Sequence, residues 1–151
     1  MAYLDQTEIR KILKEFRERT NIMCSSLFTS DGFVITIDQA PFKEDEDYYD
    51  SVCAICSSIV SLASQGISTL RDDVNIKHIT IKAVDKTEID GFEIILENIS
   101  EDILLGVMFM SSLNLGVVLF ELNNTIQKLS KYFISVEQDE NIGSVSASYE
   151  I

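Results

Sequence analysis

The chain is short of several residue types on which whole classes of protein depend. Among its 151 residues are no tryptophan, one proline (Pro41), one histidine (His78), three cysteines and six glycines. The glycines, at positions 32, 66, 91, 106, 116 and 143, form neither a phosphate loop ending in Gly-Lys-Ser/Thr nor a G-x-G-x-x-G turn. Nucleotide binding by those backbone cradles is excluded. A single imidazole in a strand-like stretch, without a G-x-S-x-G turn, leaves little from which to build a Ser–His or Cys–His nucleophile. His78 reads as an ordinary strand-surface residue. Three cysteines are an odd number in a domain large enough to need no staples, so reduced thiols and a cytoplasmic location are expected rather than a disulfide framework. Positive charge is also scarce. Twelve Lys+Arg stand against 25 Asp+Glu, a net charge of −13, which repels phosphate backbones and anionic lipid. Nucleic acid is not expected as a partner, and neither is membrane insertion.

Cys53-Ala-Ile-Cys56 has the C-x-x-C spacing of redox and zinc sites. A zinc site needs a second pair of ligands, for which only Cys24 and His78 remain, and a redox pair needs its first cysteine exposed at a helix start. The cysteines read instead as small hydrophobes on the apolar side of a helix, and no metal or cofactor is expected. Carboxylates are plentiful but lie in loops and the tail, without a spacing that suggests paired acid–base work.

What is present is the material of one globular domain: 46% hydrophobic residues and strong periodicity. Residues 1–5 show no basic region followed by an apolar one, so no export signal is expected. Asp5-Gln-Thr-Glu8 resembles a capping box, and Ile9, Ile12, Leu13 and Phe16 then recur at helical spacing, with Asn21 placed to close the helix. Five of the 12 basic residues lie between Arg10 and Arg19. Strands are expected at Ile22–Thr29 and Phe33–Ile37, turned at Ser30-Asp31-Gly32. An acidic loop, Asp38–Asp47, carries Glu44, Asp45, Glu46 and Asp47.

Ser51–Leu70 contains no charged residue in 20 positions, nearly the length of a membrane span, but it holds six serines. A buried amphipathic helix is the expectation. On a wheel of about 100° per residue, Tyr48, Val52, Ile59, Ala63 and Leu70, flanked by Cys56, Val60 and Ile67, predict the core face. Opposite them lie Ala54, Ser57, Ser61, Ser64 and Ser68, small and uncharged where a solvated helix would carry Lys and Glu. A second helix packed close against this stripe would explain it. Strands follow at Ile76–Val84, with His78, Thr80 and Lys82 on one face, at Phe92–Ile99, and at Ile103–Met110, whose apolar run marks cover on both faces. A last helix is expected from Leu113 to Phe133, and an acidic, mobile tail from residue 136 to 151.

Three segments together resemble the roadblock domains of the dynein light-chain type. They are Ser25–Ile35 with its Asp31-Gly32-Phe33 turn, the small-residue helix Ser51–Leu70, and Met110-Ser-Ser-Leu-Asn-Leu-Gly116 leading into the last helix. The resemblance covers Thr7 to Phe133, which sets a domain at residues 4–135; the acidic loop and the tail have no counterpart in it. It implies an α/β three-layer sandwich, of profilin/longin-like type, in the order α-β-β-α-β-β-β-α. A five-stranded antiparallel sheet has one long helix on one face and two helices on the other. The resemblance further implies a homodimer, or a heterodimer with another roadblock protein. Its second helix and third strand meet their partners through Ala54, Ser57, Ser61, Ser64, Ser68, His78 and Thr80. As roadblock proteins are similar in their partners, a Ras-like small GTPase is implied, bound without covalent chemistry. Glu44, Asp45, Glu46, Asp47 and Asp50 are candidates for steering it. The competing expectations are a small-molecule-sensing module and a purely structural adaptor.

Overall fold

The computed structural model describes residues 6–39 and 46–149, and within these the side chains of 6–39 and 51–133. The elements are α1 (Gln6–Thr20), β1 (Cys24–Thr29), β2 (Val34–Gln39), α2 (Glu46–Ser68), β3 (His78–Val84), β4 (Gly91–Ser100), β5 (Ile103–Met110) and α3 (Leu115–Tyr149). The strands form one antiparallel sheet in the order β2-β1-β5-β4-β3. The architecture is the three-layer sandwich that the sequence implied.

Local chemistry sets the corners. Asn21 closes α1 in the left-handed region (φ 62°), its N–H donating to the Arg17 carbonyl at 2.8 Å. Gly32, at φ 93°, turns the β1–β2 hairpin, where the Phe33 N–H donates to Thr29 Oγ1 at 3.1 Å. Asn114 caps α3, accepting the Gly116 N–H at 2.9 Å.

Two cores flank the sheet. On one face Ile9, Leu13 and Phe16 of α1 and Val118, Leu122, Leu129 and Phe133 of α3 pack on Leu27, Ile95, Leu105, Val107 and Phe109. On the other, Cys53, Cys56 and Val60 of α2 pack on Phe28, Leu96 and Leu104. β5, enclosed between β1 and β4, is buried from Ile103 to Val107, as its unbroken apolar run requires. Arg17 ties α1 to β2 by donating to both carboxylate oxygens of Asp38, at 2.7 and 3.3 Å.

β2 runs two residues beyond the expected strand, to Gln39, and the helices differ from the sequence reading in three places. First, α2 begins at Glu46, five residues before the uncharged stretch, because acids at a helix N-terminus favour the positive end of its dipole. Second, the last helix does not stop near Phe133; it continues through Tyr149 and takes in most of the segment set apart as a tail, which contains no proline to end it. Third, α2 is rotated from the expected wheel. Cys53, Cys56, Ser57 and Val60 are buried, while Leu70 is 85% exposed just past the helix end.

Ser51–Ser68 is long and apolar enough to cross a membrane by length and composition. Here it lays one face on the sheet, and only 17% of the stretch is buried. Burial pushes the Cys56 thiol up to about 11, with a smaller contribution from Cys53. The folded state thus favours the neutral thiol, a stabilisation present below pH 9 and lost as pH rises from 9 to 11. Unfolding free energy is expected to fall by about 2–3 kcal/mol across that window, with Cys56→Ala lacking this loss. Urea titrations at about pH 8 and pH 11 on both proteins check it.

Candidate dimer and partner surface

The β1–β2 turn explains part of the small-residue stripe on α2. A Cβ added at Gly32 would meet Ala54 Cα at 3.1 Å and Ser57 Oγ at 3.5 Å, so the hairpin tip lies directly on the helix. Ser57 is 5% exposed, donating to the Cys53 carbonyl at 2.9 Å and reaching the Thr29 carbonyl at 3.4 Å. Ser57 therefore cannot meet a second chain. It is small because the chain's own turn needs the space, which corrects the expectation for this residue. Ala54 is exposed beside the same turn.

The remaining stripe faces a cleft. Ser61 and Ser64 line an open, polar hollow of about 700 Å³ with Ser30, Asp31, Lys77 and Glu101. Ser68 is exposed and donates to the Ser64 carbonyl at 2.9 Å.

The outward face of α2 holds instead Ile55, 61% exposed, and Leu62, 67% exposed, seven residues apart with Ser58 between them. Sequence reasoning missed these two because it set the core face on Val52, Ile59 and Ala63 and the outward face on the small residues, and assigned Ile55 and Leu62 to neither. The spacing 55, 58, 62 could have found them, since it repeats one exposed face along an uncharged helix.

Beside α2 the sheet is bare as well. Ile79 and Ile94 pack partly on the α2 core, and the register Ile81↔Ile94 and Ala83↔Phe92 places Ile81, Ala83 and Phe92 on that same face. Ile79, Ile81 and Ala83 are half-buried, Phe92 is 40% exposed and Met110 37%. Among the described residues, no helix covers the β4–β3 half of this face as α2 covers β1 and β5.

His78 and Thr80 lie on the opposite face. His78 Nδ1 meets Glu97 Oε1 at 2.5 Å and Nε2 meets Thr80 Oγ1 at 2.6 Å, an arrangement that fixes the ring at the sheet surface. The structure therefore does not bring these two side chains together with the α2 residues. Only the backbone edge of β3, an outer strand, is shared with that region. Of the steering candidates, Glu44 and Asp45 fall outside the described residues. Glu46, Asp47 and Asp50 open α2, and their side chains fall outside them.

No group of three or more His, Cys, Asp or Glu able to hold a metal occurs among the described residues. Cys24, Cys53 and Cys56 border a cavity of about 30 Å³ between α2 and the sheet. That is room for little more than a water, far below the roughly 300 Å³ of a small-molecule site.

No protein-family model and no curated protein matches the sequence. Solved structures do match in fold. The gliding protein MglB of Thermus thermophilus is 16% identical, with a TM-score of 0.71 over 87% of this chain and 93% of that one. An MglB with tetrameric arrangement is 16% identical, with a TM-score of 0.72 over the same shares. A Roadblock/LC7 domain from Streptomyces avermitilis is 16% identical, with a TM-score of 0.68 over 83% of this chain and 97% of that one. The chain has the roadblock fold.

Proposed function

We propose that the chain is a non-catalytic dimeric regulator or scaffold that binds a Ras-like small GTPase and modulates its nucleotide cycle. The observation that carries the reading is the double gap in cover: an uncharged outward face on α2, and a half-bare apolar sheet face over β4 and β3. A second copy related by a two-fold axis closes both gaps at once. Its α2 lies beside the first through Ile55, Ser58 and Leu62, with Ala54, Ser61, Ser64 and Ser68 at the flanks, and the two β3 edges meet. Another chain of the same fold could take the partner's place. The tetrameric arrangement of one structural neighbour accords with assembly through this fold.

The GTPase reading rests on the resemblance to roadblock domains. A rigid helix pair acts without covalent chemistry by holding the switch loops of a GTPase in one of their two arrangements. Glu46, Asp47 and Asp50 open α2, Glu44 and Asp45 directly precede them in sequence, and in a dimer two such acidic sets attract a partner with a basic patch. Nucleotide exchange and hydrolysis by a small GTPase from the same source, with and without the chain, test the function. One of the two rates is expected to change and to saturate with added dimer; unchanged rates and no complex would remove the GTPase from the account. Replacing residues 44–47 by Ser or Asn is expected to slow association at low salt and to leave it unchanged at high salt. Equal association rates at low salt would mean that the run does not steer.

A further inference from the structure

The positive charge of this acidic chain is concentrated against the other outer strand, β2. Arg10 Nε donates to Thr36 Oγ1 at 3.0 Å, so α1 turns its cations towards that strand. Between the two elements lies an open groove of about 500 Å³, lined by Arg10, Lys11 and Lys14 of the helix and Ile37, Asp38 and Gln39 of the strand. Its carboxylate, Asp38, is already held by Arg17 at 2.7 Å. Three cations are left facing the groove, all exposed. Lys11 has no ion-pair partner among the described residues, and Lys14 meets Glu18 only at 3.8 Å with both side chains more than half exposed, a pairing of little worth.

The strand side is equally unfinished. Among the described residues β2 pairs with β1 alone, so one edge offers unpaired backbone groups, and Val34–Gln39 carries neither the lysine nor the proline that commonly blunts such an edge. Gln39 Oε1 is buried beside the groove with no hydrogen-bond partner among the described residues.

We propose that this groove docks an acidic segment of a partner protein in extended conformation. Its carboxylates meet Arg10, Lys11 and Lys14, and its backbone pairs with the open edge of β2. Charge complementarity selects the occupant: three cations grouped on one groove suit a short acidic peptide, whereas a net charge of −13 repels an extended anionic surface such as a membrane. The groove is separate from the outward face of α2, so this proposal stands whether or not the GTPase reading does.

Fluorescence anisotropy on the full chain tests it, with a labelled ten-residue peptide alternating Glu and Val as the probe. Binding is expected at low salt, and Lys11→Glu/Lys14→Glu is expected to weaken it by about tenfold or more, since each like-charge contact replaces an attraction. Both lysines are exposed, and unchanged circular dichroism and melting temperature of the variant would confirm that only the surface was altered. A Glu–Pro peptide of equal charge, unable to pair with a strand edge, is expected to bind more weakly, and a Lys–Val peptide not at all. No binding by the unaltered chain, undiminished binding by the double variant, or equal binding of the Glu–Pro peptide would overturn the proposal. So would displacement of the peptide by phosphatidylserine vesicles, which would make the partner a lipid surface.

Discussion

Ile55→Glu combined with Leu62→Glu is expected to convert the proposed dimer to monomers while leaving helix content unchanged. Both side chains stand on the outward face of α2, 61% and 67% exposed within one chain, so within one protomer the new carboxylates remain in water and cost little. In the dimer, two-fold symmetry presents four new carboxylates to one seam. Desolvating unpaired charges there costs several kcal/mol, enough to abolish association of moderate strength. Sedimentation velocity and circular dichroism together check it. Ser57→Arg supplies the contrast. Because Ser57 is buried under the β1–β2 turn, an arginine there is expected to lower the melting temperature of the protomer itself, whereas the same change at exposed Ser61 is expected to act on association.

Phe109→Ala is expected to cost about 3–5 kcal/mol of stability. Phe109 is fully buried in β5, in the core that joins the sheet to α1 and α3. Its loss leaves a cavity that the sheet cannot collapse to fill, because β5 is hydrogen-bonded on both sides to β1 and β4. With typical domains stable by about 5–15 kcal/mol, that is about a fifth of the whole or more. A urea midpoint shift with an unchanged slope would confirm a pure stability loss. A change below about 1 kcal/mol would contradict the placement of this ring.

The elements were legible where one physical signal dominated. β5 needed no other evidence than its apolar run from Ile103 to Met110, and the hairpin followed from Asp31-Gly32, whose glycine takes the positive φ that a tight turn requires. The side of α2 that faces the sheet was harder to read. Its large apolar residues spread over a broad arc, from Leu62 and Ile55 round to Val60, and which part of that arc meets the sheet depends on where the β1–β2 turn docks, a contact between segments more than twenty residues apart. Ala54 and Ser57 thus looked like a surface prepared for a second helix when their smallness serves the chain's own hairpin. The end of α3 was missed for a different reason: residues 136–149 lack an apolar stripe, and the helix runs past Asn141 and Gly143 with no proline to break it.

The surface that carries the functional reading was legible only in outline. Absence of charge over Ser51–Leu70 marked α2 as a helix in need of a partner, and the spacing 55, 58, 62 held the position of the protruding Ile55 and Leu62, but the bare sheet over Ile79, Ile81 and Phe92 could not be located before the register of β3 on β4 was known. His78 and Thr80 illustrate the same limit. Alternation places them together, and only the topology shows that they share a face with Glu97 rather than with α2.

Whether the chain pairs with itself is decided by light scattering coupled to gel filtration, over a concentration series of the unaltered protein. A mass twice the 17.0 kDa of the protomer is expected at micromolar concentration, or a multiple of that dimer. A mass of 17.0 kDa at every concentration would contradict the dimer, because the uncovered faces of α2 and of the β4–β3 sheet would then be surfaces that this chain does not use for itself.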